Sequence, residues 1–335
     1  MNNKILHIMT LDKFLPPFIE FVNKYFNSNE HLFVVLGKNN DKFGKLDAKN
    51  IVFIDQKIKS LHLLVLMNRA RKLILHGLWS HKLNQILFIN PWFYKKCYWV
   101  MWGGDFYFPE KQSILQRYTI KKMGHFITYI KGDYELVEKC YGSKGIYHEC
   151  FMYPSNLYKE YSVEERKHKT INIQVGNSAD PTNNHLEVFM RLKKHKDKDI
   201  NIFAPLSYGD KKYAKEVIRK GKEIFKDKFK PITEFMPFEK YLYFLGKIDI
   251  AIFAHERQQA MGNIITLLGL GKKVYIRSDL VSWSFFKKHK LNIYDIDTIK
   301  LDNLSNELKI FNKMKIEFLF SKEVLIMRLQ KVFYE

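Results

Sequence analysis

Short, continuous apolar runs alternate with longer stretches of helical spacing, and this pattern most restricts how the 335-residue chain can fold. Such runs are typical of strands buried on both faces of a parallel sheet that helices cover. The pattern therefore predicts an α/β fold. The predicted strands are Lys4–Met9, His31–Gly37, Asn50–Asp55, Lys72–Gly77, Cys97–Asp105, His125–Ile130, Ile171–Gly176, Ile200–Pro205, Phe229–Met236, Ile248–Ala254 and Lys272–Arg277.

The rhythm breaks between Phe151 and Lys169, where the sequence is polar, contains Pro154 and ends in a run of charges. A stretch of this kind is typical of a connection between domains. We predict two Rossmann-like domains facing each other across a cleft, spanning residues 1–155 and 170–310. Residues 311–335 are predicted to be a helical tail that packs back on the N-terminal domain. The clearest predicted helices are Asp210–Phe225, Pro237–Gly246, Gln259–Gly269 and Asn303–Glu335.

Lysine and arginine outnumber aspartate and glutamate by 56 to 35, which gives a formal net charge of +21. This charge attracts nucleic acid, an anionic membrane surface or phosphorylated substrates, or serves only to keep the protein in solution. The N-terminal residues lack a signal-peptide pattern, and no apolar stretch reaches the roughly 18–20 residues that cross a bilayer. Three cysteines without metal spacing fit a reducing cytoplasm. We expect a soluble or peripheral protein.

The segment "VGNSADPTNNH" leads a predicted strand into a polar turn and then into a helix. Gly176 allows close approach to the backbone, Asn177 and Ser178 offer short donors, and a helix near Asn183 presents free N–H groups. Ligands of open α/β sheets bind at the carboxyl ends of strands. The segment is either an anion site or an ordinary capped turn.

A second polar turn, "HERQQAMGN", follows the strand that ends at Ala254. The planar guanidinium of Arg257 suits phosphate oxygens, and Gln258, Gln259 and Asn263 suit a phosphate, a sugar or a base. The helix that follows adds the positive end of its dipole. The alternative is a polar loop with one exposed arginine.

A third segment, "YWVMWGGDFY", runs from an apolar strand into Gly103, Gly104 and Asp105. A carboxylate at the end of a strand among aromatic side chains is a candidate general base, whereas the alternative is a helix cap. Trp102 and Tyr107 offer rings that stack on sugar faces.

His76 ends another predicted strand, in "LILHG", on the same predicted edge as Asp105. A lone histidine at such a position is either structural or catalytic.

Several patterns are missing or lie in unsuitable places. The first strand is not followed by GxGxxG, which argues against a standard NAD site, and there is no P-loop. Two D-x-D pairs exist, Asp197 with Asp199 and Asp295 with Asp297. Both lie in polar, charged turns, so we expect surface positions rather than a metal site.

Four segments, "LILHG", "WVMWGGDFY", "VGNSADPTNNH" and "ERQQAMGNI", occur in the order of the motifs of glycosyltransferase family 56, which the sequence resembles from about Lys72 to Trp283. That family contains the TDP-Fuc4NAc:lipid II Fuc4NAc transferases of enterobacterial common antigen synthesis. One departure is Ala260, which stands where the family is expected to have glycine.

The resemblance implies a GT-B-like enzyme without cofactor or catalytic metal. The C-terminal domain would bind a dTDP-sugar and the N-terminal domain an undecaprenyl-diphosphate-linked acceptor at the cytoplasmic face of the bacterial inner membrane. Within this enzyme we predict His76 and Asp105 as catalytic residues, with Asp105 either a base or a carboxylate that orients the acceptor, and Trp102, Gly103, Gly104 and Tyr107 on the acceptor side. The predicted donor-binding residues are Gly176, Asn177, Ser178, Asn183, Glu256, Arg257, Gln258, Gln259, Gly262 and Asn263.

The sequence thus predicts a transferase that moves a Fuc4NAc-like sugar to a lipid-linked oligosaccharide. The basic charge suits a protein held against anionic lipid. Two other classes stay open, a basic nucleic-acid-binding protein and a non-catalytic scaffold at the membrane surface. Because RNP, KH and helix-turn-helix signatures are missing, we expect no nucleic acid partner.

Overall fold

The chain forms two parallel β-sheets, each in a unit of its own. The computed structural model describes residues 3–38, 46–54, 60–159 and 169–335. Unit 1 comprises Met1–Leu157 together with Lys322–Glu335, and unit 2 comprises Tyr158–Ser321. Part of the predicted connection Phe151–Lys169, residues 160–168, lies outside the described residues.

Seven parallel strands form the sheet of unit 1, in the order β3-β2-β1-β4-β5-β6-β7. Each of the central strands is followed by a helix, and the reversal of strand order between β1 and β4 is that of the Rossmann fold. The elements are β1 (Ile5–Thr10), α1 (Leu15–Tyr25), β2 (His31–Leu36), β3 (Ile51–Ile54), α2 (Ser60–Arg69), β4 (Lys72–His76), α3 (His81–Ile89), β5 (Cys97–Val100), α4 (Ile114–Lys122), β6 (His125–Thr128), α5 (Lys131–Tyr141) and β7 (Ile146–Glu149).

The sheet of unit 2 has six parallel strands in the order β10-β9-β8-β11-β12-β13. Its reversal lies between β8 and β11, where Val175 is paired with Ile252. The elements are β8 (Ile171–Val175), α6 (His185–Leu192), β9 (Ile200–Pro205), α7 (Lys211–Phe225), β10 (Phe229–Ile232), α8 (Phe238–Gly246), β11 (Ile250–Phe253), α9 (Met261–Gly269), β12 (Lys273–Ile276), α10 (Val281–Lys288), β13 (Tyr294–Asp295) and α11 (Asn306–Leu319).

The apolar runs are buried because helices cover both faces of each sheet. All residues of β5 and β11 are buried, which explains their unbroken apolar sequences. The two sheets therefore confirm the predicted α/β class with parallel strands.

The C-terminal part of the chain forms two helices rather than one. Helix α11 ends at Leu319, and α12 (Lys322–Tyr334) follows as part of unit 1. Apolar side chains of α12, including Leu325, Leu329 and Phe333, are fully buried in unit 1.

Several element boundaries differ from the predicted ones. Strands β7 and β13 were not predicted, because they are short edge strands whose sequences, "IYHE" and "YD", lack an apolar run. The predicted strand Cys97–Asp105 ends at Val100, since the chain turns into a loop there. The predicted helix near Asn183 begins at His185, after a short 3₁₀ turn at Pro181–Asn183.

Candidate functional site

Two loops of unit 2, Gly176–Asn184 and Ala254–Ala260, lie side by side at the carboxyl edge of the sheet. They follow β8 and β11, which are hydrogen-bonded neighbours at the point where the strand order reverses. The Glu256 backbone N–H donates to the Thr182 carbonyl at 3.3 Å, and the Asn184 amide donates to the Ala254 carbonyl at 3.0 Å. The structure thus brings both predicted donor-binding segments together at the usual ligand position of such a fold.

The turn after β8 is held by its own side chains. Gly176 has a φ of +65°, and a Cβ there would collide with the His185 ring and the Asn183 side chain. The Asn183 Oδ1 accepts from the Asn177 backbone N–H at 2.9 Å, and its amide nitrogen donates to Ser178 Oγ at 3.2 Å. Asn183 and Ser178 are buried, so their side chains shape the turn from within.

His255 links the two loops. Its Nε2 lies 3.1 Å from both Asn177 Oδ1 and Asn183 Oδ1. Because both partners are amide oxygens, Nε2 carries the proton and donates to them. Burial, followed by the nearby Arg257 charge, lowers the pKa of His255 to about 3. The ring is therefore neutral and fixes the relative position of the two loops.

Arg257 lies above this buried layer, with 18% of its side chain exposed. One guanidinium nitrogen is 3.9 Å from Asp180 Oδ2, and another donates to the Gln258 carbonyl at 3.4 Å. Burial would raise the pKa of Asp180, but the hydrogen bonds from Thr182 and the charge of Arg257 outweigh it, so the pKa lies below its usual value. Arg257 thus has one long ionic contact that an arriving anion can replace.

The N-terminus of α9 completes the site. Its first backbone N–H groups, at Met261, Gly262 and Asn263, precede the first intrahelical bond, from the Ile264 N–H to the Ala260 carbonyl. Asn263 accepts from the Tyr241 hydroxyl at 3.0 Å. Gly262 and Asn263 remain partly exposed. A partly exposed helix N-terminus that follows a loop with an arginine is suited to an anionic group.

The other polar residues of the second loop take different positions. Glu256 is exposed and accepts from the Asn184 amide at 3.3 Å. Gln259 is half-buried, with Oε1 3.0 Å from the Thr182 hydroxyl, and Gln258 is half-buried. Both side chains therefore keep part of their surface exposed.

Ala260 precedes α9 in the left-handed region, with a φ of +56°. This conformation costs an L-residue roughly 1–2 kcal/mol, so the position favours glycine. Ala260, which stands where the family is expected to have glycine, thus has a backbone conformation that glycine adopts more easily.

Asp105, in unit 1, is fully buried beneath the loops that follow β4 and β5. Its Oδ2 accepts from the Trp99 indole at 2.9 Å and from the Leu78 backbone N–H at 3.1 Å, and its Oδ1 accepts from the Trp102 backbone N–H at 3.1 Å. Burial raises the pKa of Asp105 to about 6, against the opposing effect of these hydrogen bonds. The carboxylate therefore ties two loops together.

The residues around Asp105 are packed into the same loop. Gly104 packs closely against the Trp79 indole. A Cβ at this position would lie only 2.8 Å from that ring, so the packing requires glycine. Gly103 has a φ of +74° and turns the chain. The Tyr107 hydroxyl donates to buried Asp133 at 2.6 Å, so it points into unit 1.

His76 belongs to a row of three buried histidines that crosses the sheet of unit 1. Its Nε2 lies 3.2 Å from His7 Nδ1, and His7 Nε2 lies 3.0 Å from His31 Nδ1. At the other end, Tyr153 joins His76 Nδ1 at 2.7 Å and accepts from the Trp102 indole at 3.1 Å.

The three rings can be linked in a single direction. If the Tyr153 hydroxyl, which accepts from Trp102, donates to His76, then each ring accepts on Nδ1 and donates from Nε2. Burial lowers the pKa of His76 to about 3 and that of His31 to about 4, so these rings are neutral. His31 Nε2 ends the row without a partner among the described residues.

The D-x-D pairs take surface roles. Asp197, Asp199 and Asp297 are exposed, as predicted, and Asp297 forms an ion pair with Arg191 at 2.6 Å. Asp295 accepts from the Asp297 backbone N–H at 3.0 Å. Within the described ranges, no group of three or more His, Cys, Asp or Glu side chains is arranged to hold a metal ion.

Sequence reasoning missed several residues of these networks. His255 follows a strand directly and could have been chosen on the signal that singled out His76. His7, His31 and Tyr153 lie far apart in the sequence, and only the sheet register and the loop after β7 bring them to His76. No local signal could have found them.

Solved structures with the same fold include three glycosyltransferases. The structure resembles a glycosyltransferase from Rickettsia africae (TM-score 0.67, 13% identity, 99% of this chain and 98% of that chain). It also resembles Anabaena HepE in complex with UDP and glucose (0.68, 10%, 98% of each chain) and the lipopolysaccharide outer core galactosyltransferase WaaB (0.67, 12%, 98% of each chain). At these identities the likeness concerns the fold, which is GT-B.

The sequence profile of one family covers most of the chain. It is described as 4-alpha-L-fucosyltransferase, glycosyl transferase group 56, and it matches residues 5–325. This match confirms the resemblance first seen in four short segments. The chain therefore belongs to glycosyltransferase family 56 and is a glycosyltransferase of the GT-B fold.

Proposed function

We propose that this transferase moves a Fuc4NAc-like amino-deoxy sugar from a dTDP-sugar to an oligosaccharide carried on polyprenyl diphosphate. The observation that carries the proposal is the position of Arg257 in the loop that leads into α9, where it contacts Asp180 of the neighbouring loop at the strand reversal of unit 2. Membership in a family of 4-alpha-L-fucosyltransferases favours a deoxyhexose donor.

In our proposal the donor diphosphate binds over the Gly176 turn. The N–H groups at the start of α9 face one phosphate, and Arg257 exchanges its long contact with Asp180 for phosphate oxygens. Gly262 leaves the helix start open to the ligand. Glu256, Gln258 and Gln259 then border the sugar.

Such a site would promote the chemistry through charge. When the glycosidic bond to the donor breaks, negative charge develops on the departing diphosphate. A guanidinium and a helix N-terminus held in place by the buried His255 layer stabilise this charge without reorganisation. Arg257 is therefore the proposed leaving-group residue.

We assign Asp105 and His76 to the acceptor side as positioning residues. Complete burial of Asp105, and three donors on its two oxygens, support a role in shaping the loops that contain Trp79 and Trp102. His76 acts on the same loop through Tyr153, which accepts from the Trp102 indole.

The proposed acceptor places the enzyme at the cytoplasmic face of the inner membrane. In the described part of the chain, no helix is both long and apolar enough to cross a membrane. The net charge of +21 supports attraction to anionic lipid.

A ligand screen followed by a transfer assay tests the proposal. Thermal unfolding should shift upward with dTDP and less with UDP or GDP, because bound ligand stabilises the folded state. Transfer is then measured with TDP-Fuc4NAc and a polyprenyl-diphosphate-linked acceptor. Stabilisation by single-stranded RNA, with no response to any nucleoside diphosphate, would overturn the proposal.

A further inference from the structure

Unit 1 exposes a group of large apolar side chains that its core does not use. Ile114 is 86% exposed, Ile89 72%, Trp92 57% and Phe88 49%. Single exposed apolar residues are ordinary on protein surfaces, but a contiguous group marks a site of interaction.

Tyr118 shows that the segments which carry these four residues adjoin one another. Its ring is 5.0 Å from that of Phe88 in α3 and 6.5 Å from that of Tyr94, in the 3₁₀ segment Pro91–Lys96. Ile114 lies one turn before Tyr118 on α4, on the same side of that helix. The end of α3, the Pro91–Lys96 segment and α4 therefore meet at Tyr118.

Basic side chains lie on the same segments as these apolar groups. The Lys122 ammonium lies 5.9 Å from the centre of the Tyr118 ring, and Lys111 lies 4.3 Å from that of Phe108. Within residues 81–122, all of which the structure describes, Glu110 is the only exposed acidic residue. The exposed basic residues on these segments include Lys95, Lys111, Arg117, Lys121 and Lys122.

We propose that this surface, which we call the apolar–basic face (Phe88, Ile89, Trp92, Ile114 and the basic residues just named), docks unit 1 on an anionic lipid bilayer. Tryptophan and other aromatic side chains prefer the interface between lipid and water, and lysines beside them attract anionic headgroups. The inference rests on the proposed lipid-linked acceptor, for which it names the docking surface.

A second apolar stripe on the chain provides the comparison. Ile310, Met314 and Phe318 are exposed on α11 in unit 2, at spacings of four residues. Helix α11 carries Glu307 and Glu317 among its lysines, and Glu317 pairs with Lys313 at 3.7 Å. It also lacks tryptophan and tyrosine. The α11 stripe therefore does not combine interfacial aromatic groups with unopposed positive charge.

Vesicle sedimentation of the whole chain tests the proposal without nucleotide or acceptor. The vesicles are an equimolar mixture of phosphatidylglycerol and phosphatidylcholine, compared with pure phosphatidylcholine. The unaltered protein should sediment with the anionic vesicles and much less with the neutral ones. Replacement of Phe88, Trp92 and Ile114 by Gln should lower the partition coefficient at least about tenfold, since apolar area drives insertion.

A charge variant and a control complete the experiment. Replacement of Lys111, Lys121 and Lys122 by Gln should lower binding to anionic vesicles at least about tenfold and reduce the preference for them. Replacement of Ile310, Met314 and Phe318 by Gln removes a similar apolar area from α11 and should leave binding unchanged. All positions are exposed, so the variants should fold, which thermal unfolding checks.

The outcomes separate this inference from the proposed function. If the face variant binds vesicles like the unaltered protein, or if only the α11 variant loses binding, the inference is wrong. Conversion of a dimer to a monomer by the face variant, with vesicle binding unchanged, would show a contact between copies of the chain. Binding of dTDP in the same preparations reports on the proposed function alone.

Discussion

The Tyr153 hydroxyl lies 2.7 Å from His76 Nδ1 and joins the loop after β7 to the end of β4. The same oxygen accepts from the Trp102 indole at 3.1 Å. Tyr153 is therefore the connection between the buried histidine row and the loop that contains Trp102. An apolar ring at this position would leave both polar neighbours without their partner.

Replacement of Tyr153 by Phe should lower the free energy of unfolding by about 1–3 kcal/mol, because buried polar groups lose a hydrogen bond. Urea unfolding measures the change. Tyr147 offers a matched control, since its buried hydroxyl has no hydrogen-bond partner among the described residues. Tyr147→Phe should be nearly neutral, and equal effects of the two substitutions would contradict the proposed connection.

Replacement of Asp105 by Asn should also destabilise unit 1. The three groups around the carboxylate are all N–H donors, and an amide NH₂ cannot accept from them. At least one buried donor loses its acceptor, at a cost of about 1–3 kcal/mol.

The control for Asp105→Asn is Asp297→Asn, which breaks an exposed ion pair with Arg191 and should change stability by less than about 0.5 kcal/mol. Thermal unfolding of both variants provides the comparison. Normal stability of Asp105→Asn with lost transferase activity would favour direct action of Asp105 on the substrate over positioning.

Local sequence patterns predict much of the fold because the strands are short, apolar and separated by helices. β5 and β11 could be found from their unbroken apolar runs. β7 and β13 could not, since an edge strand needs no apolar run and is recognised only by its pairing.

The candidate sites also combine features that the local sequence predicts with features that it does not. The sequence predicts both the Gly176 turn and the Arg257 loop as donor-binding segments, and their approach follows from the pairing of the strands that precede them. The burial of Asn183 and Asp105 was not predictable, because a polar side chain after a strand has the same sequence signal whether it faces a ligand or closes its own loop.

Stability should fall as the pH is lowered from about 6.5 to about 4. Burial lowers the pKa values of eight histidines below 6.5, so in this range the unfolded chain binds more protons than the folded one, and acid favours unfolding. Asp105 and Asp133 act in the opposite direction, since burial raises their pKa values to about 6 and about 7, but they are fewer. The eight histidines are His7, His31, His76, His125, His148, His185, His195 and His255.

Urea unfolding at pH 7.5 and pH 5 checks this balance, with the ionic strength held constant. The midpoint should move to lower urea at pH 5. A midpoint that stays constant or rises would mean that the two aspartates outweigh the histidines.

Replacement of Arg257 by Ala should weaken binding of dTDP by roughly 1.5–3 kcal/mol, the usual contribution of a hydrogen bond to a charged group. This corresponds to a loss of affinity of roughly 10- to 150-fold in calorimetric titration. Arg219→Ala is the control, because Arg219 is exposed on α7 and pairs only weakly with Glu223 at 3.5 Å. Unchanged affinity in Arg257→Ala would remove this residue from the donor site.

Replacement of Ala260 by Gly should leave the protein equally stable or more stable by up to about 1.6 kcal/mol. Glycine removes the roughly 1–2 kcal/mol of strain at a φ of +56°, but it adds conformational freedom to the unfolded chain that costs about 0.4–1 kcal/mol. Ala214→Gly in the interior of α7 should instead destabilise by about 1 kcal/mol. Thermal unfolding of the two variants compares the same chemical change in two backbone conformations, and similar destabilisation in both would show that Ala260 is not strained.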